Sequence, residues 1–375
     1  MTSSVIMIAA ASLLAASVPA AGADIPIGLA GPMSGPNAAY GPQLQRGAEL
    51  AVKDINAAGG VLGRKLVLSV ADDACDPGQA ASVARHFAAA GVEFVDGHFC
   101  SSTSIAASAI YAEAGILQIT PASNAPALTD GAAAQGWSNI FRAIGRDEHQ
   151  GIVSGTYLAG HFAGRPVAIL DDGSPYGSGI AAQTRATMHG LGLTEATLGS
   201  VAEDGHDLPA LVATLKQAGT AAVFFGGAAR PAARLVREMR MQGLPAQLVS
   251  DSTLILPGFW ESAGTAGEGT LFTFYPDWAK CASAQAVVAE LRRDNAPLDG
   301  FTFRAYAAIQ LYAQAATRAR STRLADVAKA LHAGSFDTVL GPISFDAKGD
   351  IIPTDSVLWR WSTGNIQELQ DEAEH

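Results

Sequence analysis

The sequence predicts an α/β protein made of two doubly wound parallel-sheet lobes around a central cleft. Three observations carry that expectation. Short apolar runs alternate with longer amphipathic ones, the pattern of a parallel sheet covered by helices. The alternation halts near residue 145 and restarts at residue 167, so two similar units follow one another. The chain, at 375 residues, exceeds what one compact core usually fills.

Residues 25–30 read as a strand, and 42–57 as a helix with Leu44, Ala48, Ala51, Val52 and Ile55 on one face. Gly59 and Gly60 stop it. Strands at 65–71, 93–97 and 116–120 alternate with helices at 77–90 and 101–114, which Gly91 and Gly115 end. The second run has strands at 167–171, 197–201, 221–225 and 247–250, with helices at 178–191, 208–218 and 231–242. Helices at 301–318 and 325–333 follow, then a β-like tail over 342–361. The expected division is 24–143 with 274–345 for lobe one, and 144–273 with 346–375 for lobe two. The chain is expected to pass between the lobes near 141–145, 269–275 and 341–350.

Composition is ordinary for a globular chain, 49% hydrophobic and 16% charged. A net charge of −11 argues against nucleic acid and anionic membrane surfaces as partners. Residues 5–18 form an apolar run, followed by Pro19 and the small-residue pattern Ala21-Gly22-Ala23. This reads as a secretory signal peptide over 1–23, although no Lys or Arg precedes the run, and places the mature chain outside the cytoplasm. In an oxidising compartment Cys75 and Cys100 are the natural pair, leaving Cys281 free; three free thiols are the alternative. No Cys-x-x-Cys or His-x-x-x-His spacing supports a metal, and no cofactor fingerprint is present.

Ligands of open parallel sheets sit beyond the carboxyl ends of the strands. That rule selects 31–40, 98–103 and 121–125 in the first lobe, and 172–176, 226–230 and 251–253 in the second. Ser101, at a helix start, can hold a carboxylate with the help of unpaired N–H groups, or can merely cap the helix. Ala122, Ser123 and Asn124 lie in a proline-bounded loop that can present carbonyls and an amide, or be a plain turn. Tyr40 and Tyr176 can wall a pocket or pack elsewhere. Asp251 can meet an ammonium group or close an Asx-turn, and the adjacent Ser252 can face the cleft in its place. The carboxylate pairs Asp72-Asp73 and Asp171-Asp172 read as turn residues, and His98 as a hydrogen-bonding structural residue. No nucleophile–base constellation marks an enzyme.

At these loops the chain resembles the Leu/Ile/Val-binding type of periplasmic solute-binding proteins of ABC transporters. The resemblance lies in Gly31-Pro32-Met33-Ser34-Gly35-Pro36 with Tyr40-Gly41, in Gly47-Ala48-Glu49, in 54–60, in 72–77, in 97–102, in Ile119-Thr120-Pro121-Ala122 and in 341–346. It implies a periplasmic-binding-protein type I fold with three crossovers. It implies that Ser101 binds the ligand carboxylate, that the backbone of Ala122 and the residue Asn124 bind the amino-acid head, and that Tyr40 and Tyr176 touch the ligand. It also implies a Cys75–Cys100 disulfide. The branched-chain binders carry threonine where Asn124 stands, glutamate near Asp251-Ser252, and an aromatic residue at Ala228, so the ligand need not be a branched-chain amino acid. The expected role is the monomeric, periplasmic solute-binding component of an ABC importer, delivering an amino-acid-like molecule to permease and ATPase subunits. A periplasmic sensor for a small amide or aromatic acid is the alternative.

Overall fold

The computed structural model describes residues 23–369, except 36, 202–204, 256–257, 299 and 353–355. The expected signal peptide lies outside the described residues. In the first sheet the order is β2-β1-β3-β4-β5 (Leu66–Asp72, Ile25–Gly31, Phe94–Gly97, Leu117–Thr120, Ile140–Arg142), parallel throughout. Helices α1 (Gly41–Ala57), α2 (Pro77–Ala89), α3 (Ser101–Ala114) and α4 (Pro126–Ala134) connect its strands in sequence.

After β5 the chain enters α5 (Asp147–His161) and builds the second sheet from β6 (Val167–Asp171), β7 (Thr197–Ser200), β8 (Ala222–Gly226), β9 (Gln247–Ser250) and β10 (Leu271–Phe274). Its order begins at the other edge as β7-β6-β8-β9-β10, again parallel, with α6 (Pro175–Gly190), α7 (Leu208–Gln217), α8 (Ala229–Met241) and the short α9 (Gly258–Ala263) between strands. The second crossover starts after Phe274, at the far end of the expected stretch, because β10 is hydrogen-bonded to β9 inside this sheet. The chain then returns to the first sheet with α10 (Gln285–Arg293), α11 (Gly300–Ala319), α12 (Leu324–Ala333) and the small antiparallel strands β11 (Phe336–Thr338), β12 (Gly341–Phe345) and β13 (Ile351–Ile352). It finishes on the second sheet as the antiparallel pair β14 (Val357–Ser362) and β15 (Asn365–Glu368). Ile351 packs in the first lobe's core, so the first lobe reaches a few residues past 345.

The two sheets share one winding. In each, the second strand in sequence lies on the outer side of the first, and the third on its inner side. The crevice of such a sheet opens beyond the carboxyl ends of the first and third strands. Those ends lead into 32–40 and 98–100 in one lobe, and 172–174 and 227–228 in the other.

The first core is closed by α11, which is buried on nearly all its faces. Tyr312 of α11 stacks on Phe94 of β3 with ring centroids 4.5 Å apart. Helix α1 lies against α11 so closely that a Cβ at Gly47 would collide with the Thr302 carbonyl. The second lobe has its own cores on the two faces of its sheet, one around Phe225, Val236 and Trp361, the other around Phe224, Ile169 and Met188. Among the described residues no helix is long and apolar enough to cross a membrane.

Candidate functional site

The loop after β1 is held by Asp72. Its carboxylate accepts from Met33 N at 2.9 Å, from Ser34 Oγ at 2.5 Å and from Ala74 N at 2.8 Å. The other turn carboxylates act alike. Asp171 accepts from Gly173 N at 2.8 Å, and Asp172 from Ser174 N at 3.0 Å and Ala228 N at 2.9 Å. All three therefore shape strand-end loops, as their positions predict. Beside the first loop, Tyr40 stacks on Phe99 at 4.5 Å and meets Phe301 edge-on at 5.5 Å, forming a half-buried aromatic wall.

Cys75 and Cys100 are bridged, and Cys281 is free. The bridge ties the turn after β2 to the residue that precedes α3. Cys100, not a serine, occupies the helix N-cap, with no side-chain capping bond. Ser101 is thus the first helical residue; its Oγ accepts from Ala125 N at 3.2 Å, which joins the helix start to the 122–125 loop. Behind this loop His98 is fully buried, with Nδ1 2.6 Å from Asp73 Oδ2 and Nε2 2.9 Å from the Tyr111 hydroxyl. Its part is structural.

The 122–125 loop is anchored from beneath. Ser123 is fully buried, and its Oγ lies 2.7 Å from Ser104 Oγ and donates toward the His98 and Phe99 carbonyls at 3.1 Å. The Ser123 side chain is thereby committed to the interior; Ala122 is buried beside it, and Asn124 is partly exposed. Arg142 donates to the Ser123 carbonyl at 3.0 Å and the Ala125 carbonyl at 3.2 Å. It is paired with Asp350 at 2.6 Å, and Asp350 also receives Arg146 at 2.9 Å. Sequence reading did not single out Arg142, Arg146 or Asp350; a lone arginine in a strand gives no signal of its partners.

In the second lobe Tyr176 stands at the start of α6, and Ser174 caps that helix with Oγ accepting from Gly177 N at 3.0 Å. The Tyr176 hydroxyl lies 3.1 Å from Ser252 Oγ and 3.4 Å from Asp251 Oδ1. Asp251 is fully buried. Its Oδ2 accepts from Gly227 N at 2.6 Å, and its Oδ1 from Thr253 N at 2.9 Å, an Asx-turn. Gly227 reaches that bond with φ +145°, a backbone region that favours glycine. Ser252 is partly exposed. Burial pushes the Asp251 carboxyl up to about 6 and the Tyr176 hydroxyl well above its ordinary range.

Two further residues were missed. Gln150, buried in α5, accepts through Oε1 from Ser252 N at 2.8 Å and from Thr273 Oγ1 at 3.0 Å. Asp147 opens α5, and its backbone N–H donates to the Asn124 carbonyl at 3.0 Å. Burial, and to a lesser degree the Asp251 charge, push the Asp147 carboxyl up to about 6, against the pull of Arg142. Asp147 and Gln150 thus bridge the loop after β4 and the loop after β9.

Two doubly wound lobes joined by three crossovers, with polar and aromatic side chains at the carboxyl ends of both sheets, are the architecture of two-lobed solute-binding proteins. The chain belongs to the periplasmic binding protein family, whose model matches residues 24–365. It is 42% identical over 343 residues to the Leu/Ile/Val-binding protein homolog 1 of Brucella suis, covering 91% of each chain. It is 40% identical over 345 residues to a protein of Pseudomonas aeruginosa described as an amino acid binding protein, covering 90% of each. Among solved structures it resembles an ABC transporter substrate-binding protein of Desulfitobacterium hafniense in complex with Leu, with a TM-score of 0.78 and 29% identity over 92% of this chain and 100% of that one.

Proposed function

We propose that this protein is the solute-binding component of an ABC importer and takes an amino acid into the inter-lobe cleft. The observation that carries the reading is the 42% identity to a Leu/Ile/Val-binding protein homolog along 91% of both chains. The likeness to a solved ABC transporter substrate-binding protein favours transport over the sensing alternative. In this reading Ser101 and the first N–H groups of α3 receive the ligand carboxylate. The 122–125 loop receives the amino-acid head through the backbone of Ala122 and through Asn124. Tyr40, Tyr176 and Ser252 line the remainder. The chain performs no chemistry on its ligand, works as a monomer in the periplasm after loss of residues 1–23, and delivers to permease and ATPase subunits.

A thermal-shift screen against the common amino acids and their des-amino acids tests this. An amino acid at a hundredfold its Kd adds about 2.7 kcal/mol of stability. The reading fails if no amino acid raises the melting temperature while an aromatic acid or an amide does.

A further inference from the structure

We propose that Asp96 is kept as an uncharged carboxylic acid in the core of the first lobe, so that the stability of this lobe depends on a bound proton and falls as pH rises.

Asp96 lies near the carboxyl end of β3, the central strand of the first sheet. Side chains alternate along a strand. Phe94 enters the core that α11 closes, and Val95 enters the core under α2 and α3. Asp96 therefore falls on the α11 face, as Phe94 does. Its neighbours in register are Leu29 of β1 and Ile119 of β4, both fully buried members of that apolar core. Asp96 is itself fully buried, and among the described residues neither of its carboxyl oxygens has a hydrogen-bond partner. The other buried aspartates differ. Asp73 holds His98 and Cys75 N, Asp251 holds Gly227 N and Thr253 N, and Asp350 holds Arg142 and Arg146.

The titratable groups of the elements packed on this face are engaged elsewhere. Strands β1 and β4 carry none. On α11, Arg304 donates to the Ala143 carbonyl and lies over the Tyr275 ring, and the Tyr306 hydroxyl donates to Asp54 at 2.7 Å. The Tyr312 ring covers Phe94, and the charges that act on its hydroxyl are Glu93 and Arg64, at the other end of β3. Arg318 donates to the Ser335 carbonyl at 3.0 Å. The charged residues of α1, Arg46, Glu49, Lys53 and Asp54, all reach solvent. Burial alone acts on the Asp96 carboxyl, and it raises the pKa.

A carboxylate without a partner in an apolar core is far costlier than the neutral acid, so the group keeps its proton. The unfolded chain has no such barrier and releases that proton above about 4. The folded state then binds a proton that the unfolded state has lost. Stability from this group is therefore lost as pH climbs from about 4 toward the raised folded value. Strand β3 ends one residue later and leads into 98–100, so the same proton steadies the first lobe's side of the cleft.

Infrared spectroscopy of the wild-type protein at pH 7 tests the protonation state. The carbonyl-stretch band of a neutral carboxylic acid should be present and should be lost in Asp96→Asn. A wild-type spectrum without that band overturns the proposal, as does a band of unchanged strength in the variant. Denaturant titration between pH 5 and 7 tests the coupling. The unfolding equilibrium constant of wild type, relative to that of Asp96→Asn, should rise about tenfold per pH unit. A ratio that stays constant over this range overturns the proposal. If Asp96→Asn does not fold, Asp96→Val, which suits a strand and an apolar face, replaces it in both measurements with the same expected outcomes. The wild-type spectrum needs no variant, and the missing band decides against the proposal even if neither variant folds.

Discussion

Arg142 Nε lies 2.6 Å from Asp350 Oδ1, and both side chains are withdrawn from solvent. The pair joins a strand of the first sheet to the turn between β12 and β13, far along the chain. Through its other nitrogens the same guanidinium grips the carbonyls of Ser123 and Ala125. The loop expected to hold the ligand head is therefore built on a buried ion pair.

Removing one partner of such a pair leaves the other charge uncompensated. Asp350→Ala should lower stability by about 3–5 kcal/mol in denaturant titration. Asp350→Asn, which keeps the shape, should cost less. A loss under about 1 kcal/mol for the alanine variant would show that Arg142 finds other support.

The Cys75–Cys100 bridge anchors the residue in front of Ser101. Thiol counting on the unreduced, denatured protein should find one free cysteine, Cys281. Replacing both bridged cysteines by serine should lower stability by roughly 3–4 kcal/mol, the loop-closure figure for a bridge of this span. Three reactive thiols would contradict the bridge.

Ser101→Ala should weaken an amino-acid ligand about ten- to hundredfold and leave the ligand-free melting temperature nearly unchanged. The hydroxyl accepts one bond, from Ala125 N, at 3.2 Å, so little stability depends on it. Unchanged affinity by calorimetry would remove Ser101 from the carboxylate site.

The Asp147 and Asp251 carboxyls, both raised to about 6, set a pH dependence in the ligand-free protein. A carboxyl whose folded value is raised binds more protons in the folded state between its two values. Stability contributed by these groups therefore falls as pH rises from about 4 through 6. Each should account for about 1 kcal/mol lost between pH 5 and 7. The difference in melting temperature between those pH values should shrink in Asp147→Asn and again in the double variant with Asp251→Asn. Identical slopes in all three proteins would mean that neither group titrates there.

In the proposed site each lobe supplies half, so a ligand that touches both halves favours a closed arrangement. The radius of gyration from small-angle scattering should fall on saturation with a confirmed ligand. A value that stays constant would indicate a preformed pocket.

Much of this architecture could be read from the sequence, because the β and α periods in it are local signals. The strands β1 to β4 and β6 to β9 and the helices α1, α2 and α3 fall where alternation and glycine stops place them. Helix α5 escaped for a physical reason. Its sequence holds Gly151 and Gly155, which read as helix breakers. They are required because α5 packs tightly on α6: a Cβ at Gly155 would strike the Thr184 carbonyl and Thr187, and one at Gly151 would strike Gln183. With α5 unseen, Asp147 and Gln150 had no element to sit on. Strand-end loops pointed to Ser101, Asn124, Tyr176 and Ser252. That Ser123 turns inward, and that the second oxygen of Asp251 is held by Gly227 N, depends on partners distant in sequence, such as Ser104 and Gly227. No local pattern encodes those partners.

The insertion of α11 into the first core also orders events in time. Phe94 and Phe141 find Tyr312 and Phe345 only after more than half the chain has passed between them. Closing so long an excursion costs entropy before any contact repays it, so the first lobe should fold slowly and late. The second lobe's sheet, apart from β14 and β15, comes from one continuous stretch and can form sooner. Until α11 arrives, the face of the first sheet that it covers stays open, while the other face can already pack on α2 and α3 through Phe87 and Tyr111. If the chain is exported unfolded, as the reading of residues 1–23 proposes, that delay helps, since one face of its leading sheet stays open until nearly all of it has been made.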